Sequence, residues 1–178
     1  TVLSRGLGDV YKRQDLWLVK ETNCRYHVNH ISTKETVEII RKAKKLGLPV
    51  TCDTSPPYFT LNELSLEDYR TFSKLNPPLR SEEDRLSIIE GICDGTIDAI
   101  SSDHTPQDQD AKRLPFNQAE FGGVGLETLL SLSLNLVKNK YISVEKLLRL
   151  LTVNPAKILN LDYGLSLIHI SEPTRQDR

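Results

Sequence analysis

The apolar positions along the chain fall into two alternating patterns. Short runs, CRYHVNHIS (24–32), LPVTCDTS (48–55) and TIDAISSDH (96–104), have the length and β-branched content of buried strands, and the stretches between them repeat apolar residues at helical spacing. The first run predicts a strand ending near His30. Ser32-x-x-Glu35 then reads as a capping box, Val37, Ile40 and Ala43 recur on one helical face, and Gly47 supplies a stop. The second run is stopped by Pro56 and Pro57, and a polar loop leads to a helix striped by Leu86, Ile89 and Cys93 and ended by Gly95. After the third run come a long polar loop, helical segments over 125–139 and 143–151, and a last helix with Asn154 as N-cap and Pro155 at its first position.

Strand, helix, strand, helix, strand, helix at this spacing predicts parallel crossovers and an α/β architecture, which a doubly wound sheet and a (βα)8 barrel satisfy equally. Either places chemistry at the carboxyl ends of the strands. His30 and the pair Asp103-His104 fall there.

Charge narrows the class of partner. With 23 basic and 24 acidic residues, well mixed, and a formal charge of -1, the chain carries no electrostatic footprint for nucleic acid or an anionic membrane. No apolar run approaches the roughly 20 residues of a membrane span. Cys24, Cys52 and Cys93 are odd in number, far apart and outside any C-x-x-C pattern, which predicts reduced, buried thiols that pack the core and a cytoplasmic setting.

The two ends follow a different logic. One choice of codons for SRGLGDVYKRQ (4–14) has a reverse complement that translates, in register, as LSLIHISEPTR (165–175), so that Ser4 pairs with Arg175 and Gln14 with Leu165. Opposite strands of one DNA element explain this, and the string resembles the adapter of transposase-based sequencing libraries. Residues 1–14 and 165–178 are therefore expected to be adapter-derived, leaving 15–164 as the native segment.

His30 alone reads more readily as a satisfied structural histidine than as a ligand, and Asp103 alone fares little better. Together, two metal-capable side chains at the ends of two parallel strands suit a metal hydrolase, which needs a rigidly held cation with an open position for water and a neighbouring carboxylate as base.

Four motifs, YHVNHISTKETVEIIRKAKKLGLPVT, KLNPPLRSEEDR, DAISSDHTPQDQDAKRLPF and FGGVGLETLLSL, resemble in order and spacing the carboxyl-terminal half of the dihydroorotases, in the cyclic-amidohydrolase branch of the amidohydrolase superfamily. The resemblance implies a partial (βα)8 barrel over 15–164, holding strands six to eight, and one or two divalent metals, usually Zn2+. Residue by residue it makes His30 a metal ligand and Asp103 both a ligand and the proton shuttle to the substrate nitrogen. Asn76 becomes a substrate-ring contact, and Phe121 and Gly122 supply backbone groups of a mobile loop that hold the ring. Taken on their own, Asn76 can simply shape a turn and Gly122 simply permit one. Two departures stand out. Gln107 occupies the place of a histidine that helps bind the substrate carboxylate, removing a charge there, and Pro57 and Tyr58 stand where many relatives carry a histidine pair. His104 is expected to orient its loop.

The implied activity is hydrolysis of a cyclic amide, the interconversion of N-carbamoyl-aspartate and dihydroorotate in pyrimidine synthesis. The alternatives are a dihydropyrimidinase- or allantoinase-like hydrolase and a non-catalytic dihydroorotase-like scaffold for aspartate transcarbamoylase. The implied partners are a small-molecule substrate, further copies of the chain and, in the scaffold case, the transcarbamoylase. The family's other ligands, an H-x-H pair, a lysine and a further histidine, have no match here, so the segment alone is expected to be inactive. The loop from His104 to Gly122 reads equally as a solvated charged loop and as a lid tethered at its middle by Leu114, Pro115 and Phe116.

Overall fold

The computed structural model describes the backbone of residues 2–161 and the side chains of residues 10–161. The expected adapter segment at 165–178 lies outside the described residues. Three parallel strands, β1 (Tyr26–Val28), β2 (Val50–Thr54) and β3 (Ala99–Ile100), form a sheet in the order β1-β2-β3, with Tyr26 opposite Val50 and Asp53 opposite Ala99. Helix α1 (Val2–Thr22) precedes β1 and α2 (Lys34–Lys45) links β1 to β2. Between β2 and β3 come α3 (Pro56–Thr60), two 3-10 segments (Glu63–Tyr69 and Thr71–Ser73) and α4 (Glu82–Asp94). After β3 follow α5 (Gln109–Lys112), α6 (Leu129–Lys138), α7 (Val144–Leu151) and α8 (Val153–Ile158). The mixed α/β expectation holds. Helix α1 runs unbroken through the boundary expected at Gln14, with Val19 buried beneath it.

The two crossovers set α2 and α4 side by side, and apolar packing holds them there. Ile40, Ile88, Ile92 and Leu147 are fully buried and Val37 and Ile97 nearly so; each such side chain removed from water contributes about 1.5–3 kcal/mol. The buried Asp84 stitches the pair at its amino-terminal end, accepting the Lys34 amide at 2.8 Å and the Ser81 hydroxyl at 2.8 Å. At the other end of the sheet Asp98 accepts the Cys52 amide at 2.8 Å and pairs with Lys44 at 2.6 Å.

Several local expectations are corrected. The N-cap of α2 is Thr33, whose hydroxyl accepts the Thr36 amide, and not Ser32; the chain leaves β1 one residue later than the Ser32-Glu35 box requires. On α4 the buried face runs through Ile88, Ile89 and Ile92, while Leu86 is exposed and Cys93 only half-buried, because the helix turns its seam toward α2. Gly95 does end α4, at φ 83°. Pro56 and Pro57 end the second strand by opening α3, where missing amide hydrogens cost nothing. The last helix is capped from Thr152, and Asn154 sits inside it, donating its side-chain amide to the Asp98 carbonyl at 2.8 Å.

Candidate functional site

β1, β2 and β3 deliver His30, Asp53 and Asp103 to the same end of the sheet. Both His30 (φ 50°) and Asp103 (φ 47°) turn into the left-handed backbone region just past their strands. That turn swings the two side chains toward each other, and His30 Nε2 lies 3.6 Å from Asp103 Oδ1. The expected pair is thus brought together.

Asp53 is the residue that sequence reasoning missed. Its Oδ1 accepts the His30 backbone amide at 2.7 Å and the Ser101 hydroxyl at 3.1 Å and lies 3.2 Å from His30 Nδ1; its Oδ2 lies 3.2 Å from His27 Nε2. Burial opposes its ionisation, but hydrogen bonds from His27, from the His30 ring and from the His30 amide outweigh that and hold the carboxyl well below the usual range. The His30 ring, hydrogen-bonded to Asp53, is in turn raised above its ordinary value although burial works against it. The available signal was position: Asp53 lies one residue before the end of β2, on the strand between those that lead into His30 and Asp103.

Asp103 is held differently. Burial pushes its carboxyl above the ordinary value, partly offset by His30. The Tyr58 hydroxyl, almost wholly buried, donates to the Pro77 carbonyl at 2.9 Å and lies 3.5 Å from Asp103 Oδ2. A phenol therefore faces the carboxylate from α3. Asn76 is exposed and joined to Pro77 by a cis peptide bond, which places it one residue from the Tyr58 contact. A cavity of about 260 Å³ opens beside Asp103, with Pro56, Ser102, Gly123 and Leu132 among its walls.

The loop beyond β3 returns to this region. The Thr105 amide donates to the Gly123 carbonyl at 3.0 Å, and His104 Nδ1 accepts the Gly125 and Leu126 amides at 3.1 Å each, so His104 does orient its loop. Gly122 adopts φ 117°, and a Cβ there would sit 2.5 Å from the Thr105 carbonyl oxygen. Phe121 is half exposed. Gln107 is exposed in the irregular stretch between His104 and α5. The expected apolar tether is corrected: Leu114 and Pro115 are exposed and Phe116 is half-buried, and the loop is fastened instead by two buried lysines, Lys74 and Lys112.

A metal needs more donors than this pair supplies. His30 Nε2 and Asp103 Oδ1 converge closely enough to share a cation, and the half-buried Asp103 carboxylate suits one electrostatically. Among the described residues, no group of three or more His, Cys, Asp or Glu side chains is placed to hold a metal ion. Nor is any helix of the described residues long and apolar enough to cross a membrane.

A dihydroorotase of Desulforapulum autotrophicum is 47% identical over 152 residues, covering 85% of this chain and 36% of its own length. The L-hydantoinase (dihydropyrimidinase) of Arthrobacter aurescens superposes with a TM-score of 0.78 at 32% identity, over 83% of this chain and 34% of that one. The inactive dihydroorotase-like domain of the Chaetomium thermophilum CAD-like multifunctional protein superposes at 0.62 with 25% identity, over 84% of this chain and 41% of that one. The chain thus spans about a third of the length of the curated relatives it matches. With the Amidohydrolase family profile matching residues 8–168, nearly the whole of the described fold, the chain belongs to the amidohydrolase family.

Proposed function

We propose that this segment is part of a metal-dependent cyclic amide hydrolase, a dihydroorotase that interconverts N-carbamoyl-aspartate and dihydroorotate. The observation that carries the reading is the convergence of His30 and Asp103 at the carboxyl ends of two parallel strands, 3.6 Å apart. In this reading β1, β2 and β3 are strands six, seven and eight of a (βα)8 barrel, residues 15–164 are the native segment, and the other metal ligands come from earlier strands.

His30 and Asp103 would hold one or two Zn2+ ions, which when bound supply a Lewis acid for the amide carbonyl and lower the pKa of water. The chain's own residues do the rest. Asp103 accepts the proton of the attacking water and delivers it to the departing ring nitrogen. Asp53 fixes the His30 ring from the Nδ1 side and turns Nε2 toward the metal position. Asn76 and the Phe121 amide hold the ring, the expected share of Gly122 falling away because its amide and carbonyl are bonded to Lys74 and Lys112, and Gln107 donates to the substrate carboxylate without adding charge.

The test is an assay of the full-length protein carrying this segment against dihydroorotate, dihydrouracil, hydantoin and allantoin. Turnover confined to the last three would assign it to the hydantoinase side of the family. The scaffold reading, with aspartate transcarbamoylase as partner, draws support from the likeness to an inactive dihydroorotase-like domain. Presence of both His30 and Asp103 favours the enzyme, and an intact H-x-H motif in the upstream sequence would decide between them. Self-association and a cytoplasmic setting follow from the same reading.

A further inference from the structure

Lys74 and Lys112 are 8% and 3% exposed, depths at which an ammonium is costly unless every N–H finds an acceptor. Each finds three, and all are backbone carbonyls. Lys74 Nζ reaches the carbonyls of Phe116 (2.7 Å), Asn117 (3.5 Å) and Ala119 (2.6 Å). Lys112 Nζ reaches those of Glu120 (2.9 Å), Gly122 (2.9 Å) and Lys74 itself (3.4 Å). The two are interlocked, because the Lys74 carbonyl also accepts the Gly122 amide at 3.0 Å. The Phe121 ring closes over the Lys74 ammonium at 4.5 Å and the Phe116 ring stands 5.3 Å from it. Among the described residues neither lysine forms a salt bridge with a carboxylate.

Two cations without carboxylate partners therefore organise one stretch of peptide carbonyls, from Phe116 to Gly122. In a planar trans peptide the carbonyl and the following N–H point in opposite directions. With the Glu120 carbonyl turned onto Lys112, the Phe121 N–H is turned the other way, out of the clasp. A loop whose carbonyls faced solvent would leave that amide undirected.

We propose that Lys74 and Lys112 are positioning residues: a two-cation clasp that fixes Gly122 and thereby sets the Phe121 amide for substrate, so that their removal weakens substrate binding and leaves the proton transfer at Asp103 nearly intact. The inference rests on the cyclic amide hydrolase reading for the identity of the substrate. It does not rest on that reading for the clasp itself.

The experiment compares the zinc-loaded full-length protein with its Lys74→Met, Lys112→Met and double variants by hydrogen exchange over 116–123 and by steady-state kinetics with dihydroorotate. Each single variant should lose about tenfold or more of its exchange protection, the scale of losing charge-assisted hydrogen bonds. KM should rise by a similar factor while kcat changes less than about threefold, the signature of lost uniform binding. The double variant should be little worse than either single one, since the two cations act as one unit. Unchanged protection would overturn the clasp; lost protection with unchanged KM, or a loss confined to kcat, would overturn its positioning role. If the wild type fails to turn over dihydroorotate, the functional reading falls, and the exchange data alone then decide the clasp. Should the variants not fold, competitive acetylation of the wild type provides the measurement: Lys74 and Lys112 should react about tenfold or more slowly than exposed Lys45 and Lys138, as buried, fully bonded amines do. Equal reactivity would overturn the proposal.

Discussion

Asp53 accepts the backbone amide of His30 at 2.7 Å and faces the ring of the same residue at 3.2 Å, so one carboxylate fixes both the main chain and the side chain of the candidate ligand. In the full-length protein, Asp53→Ala should lower metal affinity by about 10- to 100-fold, the usual cost of losing a group that orients a ligating histidine. Metal retention during dialysis against graded chelator checks this, and retention equal to wild type would remove Asp53 from the site.

Asp103→Asn preserves shape and a weak donor oxygen but removes the basic carboxylate. Turnover should fall about 100-fold or more, with metal content falling less. Near-normal rates in both directions at full metal occupancy would end the proton-shuttle assignment.

Gly122→Ala places a methyl group 2.5 Å from the Thr105 carbonyl oxygen, on a backbone with φ 117°. The His104–Gly122 loop should then be cut by protease faster than in wild type and lose its slowing by a bound substrate analogue. Equal cutting rates with and without analogue in the wild type would show that the loop is not a lid.

Cys52 is fully buried on β2, and burial pushes its thiol up to about 12. At pH 8 it should resist thiol reagents in the folded full-length protein and react only on denaturation. Ready labelling would show that the strand is not packed as described.

Amplifying the genomic locus should replace residues 1–14 and 165–178 with unrelated sequence continuous with an amidohydrolase gene. Recovery of the same residues from the chromosome would make them native.

What the sequence made legible was periodic or terminal. Strand ends were readable because apolar runs stop there, and His30 and Asp103 came with them. The cap of α2 was misplaced by one residue because Ser32 and Thr33 are both competent hydroxyls, and only the exit angle from β1 selects between them. Leu86 and Ile88 are equally apolar, so spacing alone could not show that the seam of α4 runs through Ile88. Asp53 was passed over because an acid in an apolar run lacks meaning until His27 of β1 and His30 just beyond it surround it. Lys74 and Lys112 were least legible: their partners are backbone carbonyls of a loop, which no side-chain pattern encodes.

The left-handed turns at His30 and Asp103 reach beyond geometry to ancestry. Most residues pay roughly 1–2 kcal/mol to sit there, histidine, asparagine and aspartate less, and glycine least. Under the proposed function these two positions keep a histidine and an aspartate for the site, at a backbone cost that glycine would not carry. A duplicated copy relieved of catalysis would gain firmness from Asp103→Gly at once, so decay in such a lineage should begin at the strand exits, well before the core.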